Sequence, residues 1–461
     1  MKLPLRPAIA ATGATLLDGE RAPQLLRIRT DTRTVESGDA FLALRGENFD
    51  GHDFAGEAVR KGAALLIVGD AAARVAGVPT MVVKDTLAAY LALARLAAEA
   101  FDGEIVGITG STGKTTTKVL LAALLRTSFR VAVPPANENN EIGVGRLLLS
   151  LSNDDHDVAI VEMGARQYGD VAVLVEAARP KIGVLTNVGD AHVEIMGSRE
   201  RLADTKWALF SHGAHAVLNA ADEVSRERAS GLTLPESTVW FVAVPNAAAL
   251  RDYASFERLI AIAGTERLVV RDGGEVSTYA VETLLPGLHN RFNLAAAIAA
   301  AFALGVSPEL LIPAIPSLEL PQGRYDRIAI VGGPNVIYDA YNANASGMIA
   351  ALDTFGSERA ARRIAVLGSM AELGEEAQSL HERVGAHAAS RVDVLLVSGD
   401  FAAALARGAR EGGLDATRIV AVDGNAQAAA WLREHAHKDD VVLLKGSRKY
   451  RLEEIVEDLL A

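Results

Sequence analysis

Lys114 and Thr115 sit at the end of a glycine-rich run reading G-I-T-G-S-T-G-K-T-T-T-K from Gly107 to Lys118. Glycines let a backbone turn its amides toward an anion and approach it closely, because no Cβ stands in the way. Gly110, Ser111, Thr112 and Gly113 would wrap phosphate oxygens, and Lys114 would reach the outer phosphates. Thr115, followed by Thr116, offers a hydroxyl for Mg²⁺. The usual phosphate-loop spacing is missed by one residue, since Ile108 stands where the first glycine is expected, so the loop is a tighter G-x-x-G-K-T variant. The chemistry it permits is binding of a nucleoside triphosphate and transfer of its terminal phosphoryl group. Further on, Glu162 closes the apolar run 158–161, while Asn187, Asp190 and His192 follow another such run at 181–186. A carboxylate beside a phosphate loop can hold Mg²⁺. Lys206 lies on a helical stretch at 199–210.

A phosphate loop works between a strand and a helix N-terminus, where the helix adds partial positive charge. Apolar residues 105–108 and 119–125 provide that strand and that helix. From Glu104 to about 318, strands at 104–109, 157–163, 181–186 and 215–218 alternate with helical segments, which predicts a parallel sheet covered on both faces. Ligands in such sheets bind at the carboxyl ends of strands, where Glu162, Asn187, Asp190 and His192 fall. A hairpin is predicted at 267–281, turning at Asp272-Gly273-Gly274. Gly287-Leu288-His289-Asn290 precedes an Ala-rich helix expected from Phe292, with Asn290 as its cap or as a reader of a base edge. Pro308, Pro313, Pro316 and Pro321 mark a linker.

Before this region, residues 1–100 read as a small α/β domain, with strands at 39–44, 63–68 and 80–83 and helices at 54–61 and 87–98. It carries two polar stretches, Thr30-Asp31-Thr32-Arg33 and residues 45–54, although Asp50-Gly51 and Asp53 are also what a capped turn requires. After it, a second alternation has strands at 328–331, 335–339, 363–367, 392–397, 418–422 and 440–444. The expected fold is α/β with three domains: a small N-terminal α/β domain (1–100), a central phosphate-loop, parallel-sheet ATPase domain (101–320) and a Rossmann-like C-terminal α/β domain (321–461).

The 461 residues are half apolar and only 5% aromatic, as suits layered α/β packing. No cysteine is present, which excludes disulfides and thiolate metal sites and fits a reducing, cytoplasmic setting. The longest apolar run, 294–306, is too short to cross a bilayer. A net charge of −12 argues against nucleic acid as a partner.

Five stretches together resemble the Mur ligase family along essentially the whole chain: 110–118, Asn137-Glu138-Asn139-Asn140-Glu141-Ile142-Gly143, Glu162-Met163-Gly164, Tyr341-Asn342-Ala343-Asn344, and 367–374. The N-N-E-I-G and Y-N-A-N signatures resemble the member that adds D-alanyl-D-alanine to UDP-N-acetylmuramoyl-tripeptide, rather than sister ligases that add single amino acids. The resemblance implies an ATP- and Mg²⁺-dependent ligase, monomeric and without membrane insertion, that activates a carboxylate as an acyl phosphate. A single-amino-acid ligase or a nucleotide-binding regulator without catalysis is the alternative. By resemblance, Lys114, Glu162, His192 and Lys206 are catalytic, with Thr115, Glu162, His192 and Lys206 around the metal and Lys206 a candidate carbamate. Asn290 would read adenine, Arg324 a phosphate and Asp339 the ribose. Thr32, Arg33, Arg45, Gly46, Asp50, Gly51 and His52 would grip the UDP substrate, with Asn137, Asn139 and Asn140 adding substrate contacts. Asn342, Asn344, Lys445, Ser447 and Arg448 would line the dipeptide side. The chain departs from the family pattern at Val119, Trp207, Ala345 and Ser369.

Overall fold

The computed structural model describes residues 1–46, 49–135, 137–189, 196–233 and 235–461. Asp190 and His192 lie outside them. Three main sheets follow one another along the chain, each flanked by helices, as expected for three α/β domains.

The N-terminal sheet has the order Thr15–Leu17, Thr80–Val82, Leu65–Val68, Ala40–Leu42, Ile28–Arg29, parallel except at its first pair. In the central sheet the strands from Val131–Ala132 across to Arg258–Ala263 run parallel, and Arg267–Asp272 and Glu275–Ala280 extend it antiparallel. The sheet is therefore mixed where a parallel one was expected. The outer pair is the hairpin expected at 267–281, turning at Gly273 (φ +60°), and the short turn at Gly264 (φ +65°) joins it antiparallel to Arg258–Ala263. Two central strands, Val239–Val244 and Arg258–Ala263, were not anticipated; both are almost wholly buried apolar runs. The C-terminal sheet runs Asp326–Ala329, Asn335–Tyr338, Val441–Lys445, Arg363–Gly368, Val394–Ser398, Ile419–Ala421, with only the first pair antiparallel.

Two expectations need correction. The Ala-rich helix is Gly287–Ala303, so it starts before Phe292 and Asn290 lies inside its first turn rather than capping it. Gly287 permits the earlier start: its φ is +79°, and a Cβ there would lie 2.1 Å from Thr354 Oγ1. The proline-rich segment is not an extended linker either. It folds as the helix Pro308–Leu311 and the 3₁₀ turn Ile312–Ser317, with Leu311 and Ile315 buried. Proline's fixed φ suits a first helical turn as well as it suits a break.

One apolar core runs through the first two sheets. It joins Leu26, Leu42, Tyr90 and Leu93 to Val144, Leu148, Val161 and Leu174. The C-terminal sheet has cores of its own on its two faces. The shared core is closed by helix Thr86–Glu99 packing on helix Glu141–Ser150, where Tyr90 donates its hydroxyl to Ile142 O at 2.9 Å. A Cβ on Gly145 would meet the Tyr90 ring at 2.3 Å. Gly145→Val should therefore destabilise the chain by about 1–3 kcal/mol through overpacking, and Tyr90→Phe by about 1 kcal/mol through the lost hydrogen bond. Denaturant unfolding checks both; wild-type midpoints would place the docking contact elsewhere.

Candidate active site

The strand Glu104–Thr109 lies between Ile182–Leu185 and Val158–Glu162, so the chain leaves it toward opposite sides and a crevice opens at its carboxyl end. The loop fills this switch point. Gly110 has φ +149° and Gly113 +82°. A Cβ would come within 1.9 Å of Thr186 Oγ1 at the first and 2.3 Å of Asn293 Oδ1 at the second, so both must be glycine. The neighbouring strand end fixes the loop's shape. Thr112 N donates to Asn187 Oδ1 (3.0 Å), Asn187 Nδ2 to Thr112 Oγ1 (2.6 Å), Thr186 Oγ1 to Thr112 O (2.5 Å) and Gly189 N to Ser111 Oγ (2.8 Å). Lys114 Nζ spans the loop to Gly110 O at 2.6 Å. Thr116 is buried in the first turn of the helix Lys114–Leu125.

Glu162 ends the adjacent strand, buried and beside the loop as its sequence position implied. Its Oε1 accepts from Thr115 Oγ1 and from Asn139 Nδ2, both at 3.0 Å, and its Oε2 lies 3.1 Å from Lys118 Nζ. Thr115 and Glu162 thus place hard oxygen atoms together, the donor type Mg²⁺ prefers. Lys206, on helix Arg199–Trp207, is buried, and among the described residues no carboxylate pairs with it. Burial, then the nearby Lys114 charge, drives its pKa well below the usual lysine range. Desolvation also lowers that of Lys114; Glu162 opposes the shift and Arg324 adds to it. Among the described residues no three His, Asp or Glu side chains cluster as a metal site. The residues present fit a phosphate in a Cβ-free cradle and a cation between Thr115 and Glu162.

Asn290 donates to Pro286 O (2.9 Å) and accepts from Asn293 Nδ2 (3.3 Å), so it braces the residue that crowds Gly113. His289 beside it reaches Thr354 Oγ1 at 3.3 Å, and burial holds its pKa down to about 4. Across the seam, Asp339 and Lys445 form a buried pair: Lys445 Nζ lies 2.9 Å from Asp339 Oδ2 and 3.0 Å from Asp339 O. Asn344 caps helix Ala345–Phe355 through Gly347 N, and Asn342 Oδ1 accepts from Ala343 N. Ser447 Oγ accepts from Ala371 N (2.9 Å). Ser369, where the family pattern has aspartate, is buried and accepts from Phe401 N at 2.8 Å. A Cβ on Gly189 would lie 3.6 Å from Ser346 Oγ, so the strand ends of the central and C-terminal sheets face each other.

The N-terminal candidates form a separate group. Arg45 bonds Asp50 Oδ2 (2.9 Å), and His52 Nε2 accepts from Gly69 N (2.8 Å). The His52 backbone amide and ring hold the Asp50 carboxyl down to about 2. Gly46 is packed against Phe49, and a Cβ on Gly51 would lie 2.5 Å from Leu44 O. Thr32 bonds Glu57 (2.9 Å), and Arg33 forks with its neighbour Asp31 (2.6 Å). Asp31, next to Thr32, also feels the charge of Arg146 on helix Glu141–Ser150 of the central domain. Asn140 caps that helix through Gly143 N, and Asn137 O accepts from Asn139 N (2.8 Å). The sequence reading missed Thr186, Asn293 and Lys118. Two of them had a signal in helical spacing, Asn293 three residues after Asn290 and Lys118 four after Lys114.

No helix among the described residues is long and apolar enough to cross a membrane. Family models match over three consecutive parts: the Mur ligase family catalytic domain over 26–98, the Mur ligase middle domain over 108–301 and the Mur ligase glutamate ligase domain over 323–448. The UDP-N-acetylmuramoyl-tripeptide--D-alanyl-D-alanine ligase of Synechocystis sp. is 37% identical, the alignment covering 94% of this chain and 92% of the relative. The crystal structure of MurF from Acinetobacter baumannii superposes with a TM-score of 0.85 at 27% identity, covering 100% and 99% of the two chains. MurF ligase from Thermotoga maritima in complex with ADP gives 0.78 at 28%, covering 94% and 97%. With three family models in series and a relative of this similarity along nearly the whole length, the chain belongs to the Mur ligase family.

Proposed function

We propose that this chain joins D-alanyl-D-alanine to UDP-N-acetylmuramoyl-tripeptide at the expense of ATP. The observation that carries this reading is the meeting of the loop and Glu162 at a switch point facing the C-terminal strand ends, in a chain related along its length to ligases of that name. A carboxylate does not condense with an amine in water unless its oxygen becomes a good leaving group. The tripeptide carboxylate oxygen attacks the terminal phosphorus of ATP and ADP leaves. The dipeptide amine then attacks the acyl carbon, the C–O bond to phosphate breaks, and the nitrogen loses a proton. Positioning and charge balance carry such phosphoryl transfer.

Lys114 balances the terminal phosphates, and Arg324, whose charge reaches Lys114, supplies a second cation. Thr115, Glu162, His192 and Lys206 would hold Mg²⁺, which when bound neutralises phosphate charge. By the resemblance Asn290, braced by Pro286 O and Asn293, would read adenine, and Asp339, oriented by Lys445, the ribose. The group around Thr32, Arg33, Arg45, Asp50 and His52 grips the UDP end, together with Asn137, Asn139 and Asn140. Asn342, Asn344, Ser447 and Arg448 border the dipeptide.

The test is ADP release by purified protein with D-alanyl-D-alanine and UDP-substrates carrying either diaminopimelate or lysine third. Release should require both the dipeptide and a UDP-tripeptide. Release with single amino acids instead would make the chain a sister ligase. Release that ignores both acceptor and amine would support a nucleotide-binding regulator.

A further inference from the structure

Tyr341 is flanked by two guanidinium groups, Arg324 Cζ 4.7 Å and Arg448 Cζ 5.1 Å from its ring centroid. Both lie within cation–π range, and the electron-rich ring offsets the repulsion that two adjacent cations would otherwise feel. The ring itself is anchored. Tyr341 N donates to Gly323 O at 3.4 Å, and a Cβ on Gly323, whose φ is +75°, would lie 3.2 Å from Tyr341 Cβ. Tyr341 therefore rests on the turn by which the chain enters the C-terminal domain, directly before Arg324.

The two arginines face different halves of the reaction. Arg324 is close enough to Lys114 for its charge to disfavour the lysine ammonium, which puts it on the phosphate side. Arg448 follows the strand Val441–Lys445 of the C-terminal sheet and is exposed. Its neighbours are committed: Lys445 to buried Asp339, Ser447 to Ala371 N, and Lys449 to Asp400 at 2.9 Å. Among the described residues neither Arg324 nor Arg448 has a carboxylate partner, so the cation left for a ligand in this stretch is Arg448. A guanidinium offers two parallel N–H donors, which match a carboxylate better than an ammonium does.

Resting on the ligase reading above, we propose that Tyr341 is a positioning residue that holds Arg448 to receive the free carboxylate of the incoming amine. A dipeptide gripped at its carboxylate presents its amine at a fixed reach, and the shared ring sets that reach relative to Arg324.

The experiment compares an acceptor with its C-terminal amide, first D-alanyl-D-alanine against D-alanyl-D-alaninamide. A charge-assisted hydrogen bond predicts a KM for the amide roughly 10- to 100-fold above that of the acid in the wild type. Arg448→Met should bring this ratio close to one. Tyr341→Leu should reduce it, and Tyr341→Phe, which keeps the ring face, should restore it. A purely structural tyrosine would shift unfolding without changing the ratio. A wild-type ratio in Arg448→Met, or Tyr341→Phe behaving like Tyr341→Leu, overturns the proposal. If the wild type ignores D-alanyl-D-alanine but uses another amine, the substrate assignment fails, and the acid-to-amide ratio with that amine decides this proposal separately. If it uses no amine at all, both fall.

Discussion

Lys114→Ala should lower acceptor-dependent ADP release by at least about a thousandfold, the scale on which preorganised charges act at a transition state. Its Nζ bonds Gly110 O within its own loop and no element outside it among the described residues, so the fold should not depend on it. Unfolding midpoints of the variant should match the wild type. Lys114→Arg should not restore the rate, because a planar guanidinium does not fit where a compact ammonium reaches Gly110 O. Near-normal ADP formation by the alanine variant would mean that this loop does not hold the reacting phosphates.

Lys206→Ala should abolish ligation too, and a short carboxylate such as acetate should partly restore it. The reason lies in burial. An ammonium enclosed beside Lys114 is disfavoured, which shifts the balance toward the neutral amine, whose lone pair can react. A neutral amine adds CO₂: an N–C bond forms, a proton leaves to water, and the side chain ends in a carboxylate. That would convert a group which repels Mg²⁺ into a hard oxygen donor near Lys114. Arginine stays protonated and adds no CO₂, so Lys206→Arg should be neither active nor rescued. Carbon-13 NMR of protein in labelled bicarbonate should show a carbamate signal that is absent from both variants. Full activity of Lys206→Ala, or wild-type rates indifferent to CO₂ together with no rescue, would remove the carbamate.

The phosphate loop was legible because its chemistry is local. Backbone amides, two obligatory glycines and a lysine at the start of a helix lie within a few residues, so spacing alone specifies them. Glu162 was legible for a related reason, since the end of an apolar strand beside the loop has one place to go. The bracing residues were not. Thr186 and Asn293 shape the loop from other elements, and no spacing announces that a Cβ at Gly110 or Gly113 would strike them. The pairing of Asp339 with Lys445 joins residues 106 positions apart and appears only when their strands are neighbours. The hairpin at 267–281 was legible from its Asp-Gly-Gly turn, but its antiparallel pairing with Arg258–Ala263 was not, because the alternation rule describes strands linked by helices.

The shared core of the first two domains gives the molecule an unequal build. Tyr90 locked over Gly145, and one apolar cluster continuous from Leu26 to Leu174, make the N-terminal and central domains a single packed body. The C-terminal domain keeps separate cores and enters through the Gly323 turn. It meets the central domain again at His289 and Thr354, outside that turn. In the proposed reaction the UDP substrate and the nucleotide would be held by one packed body and the amine by the other, so a change in how the two bodies meet would alter where the amine arrives.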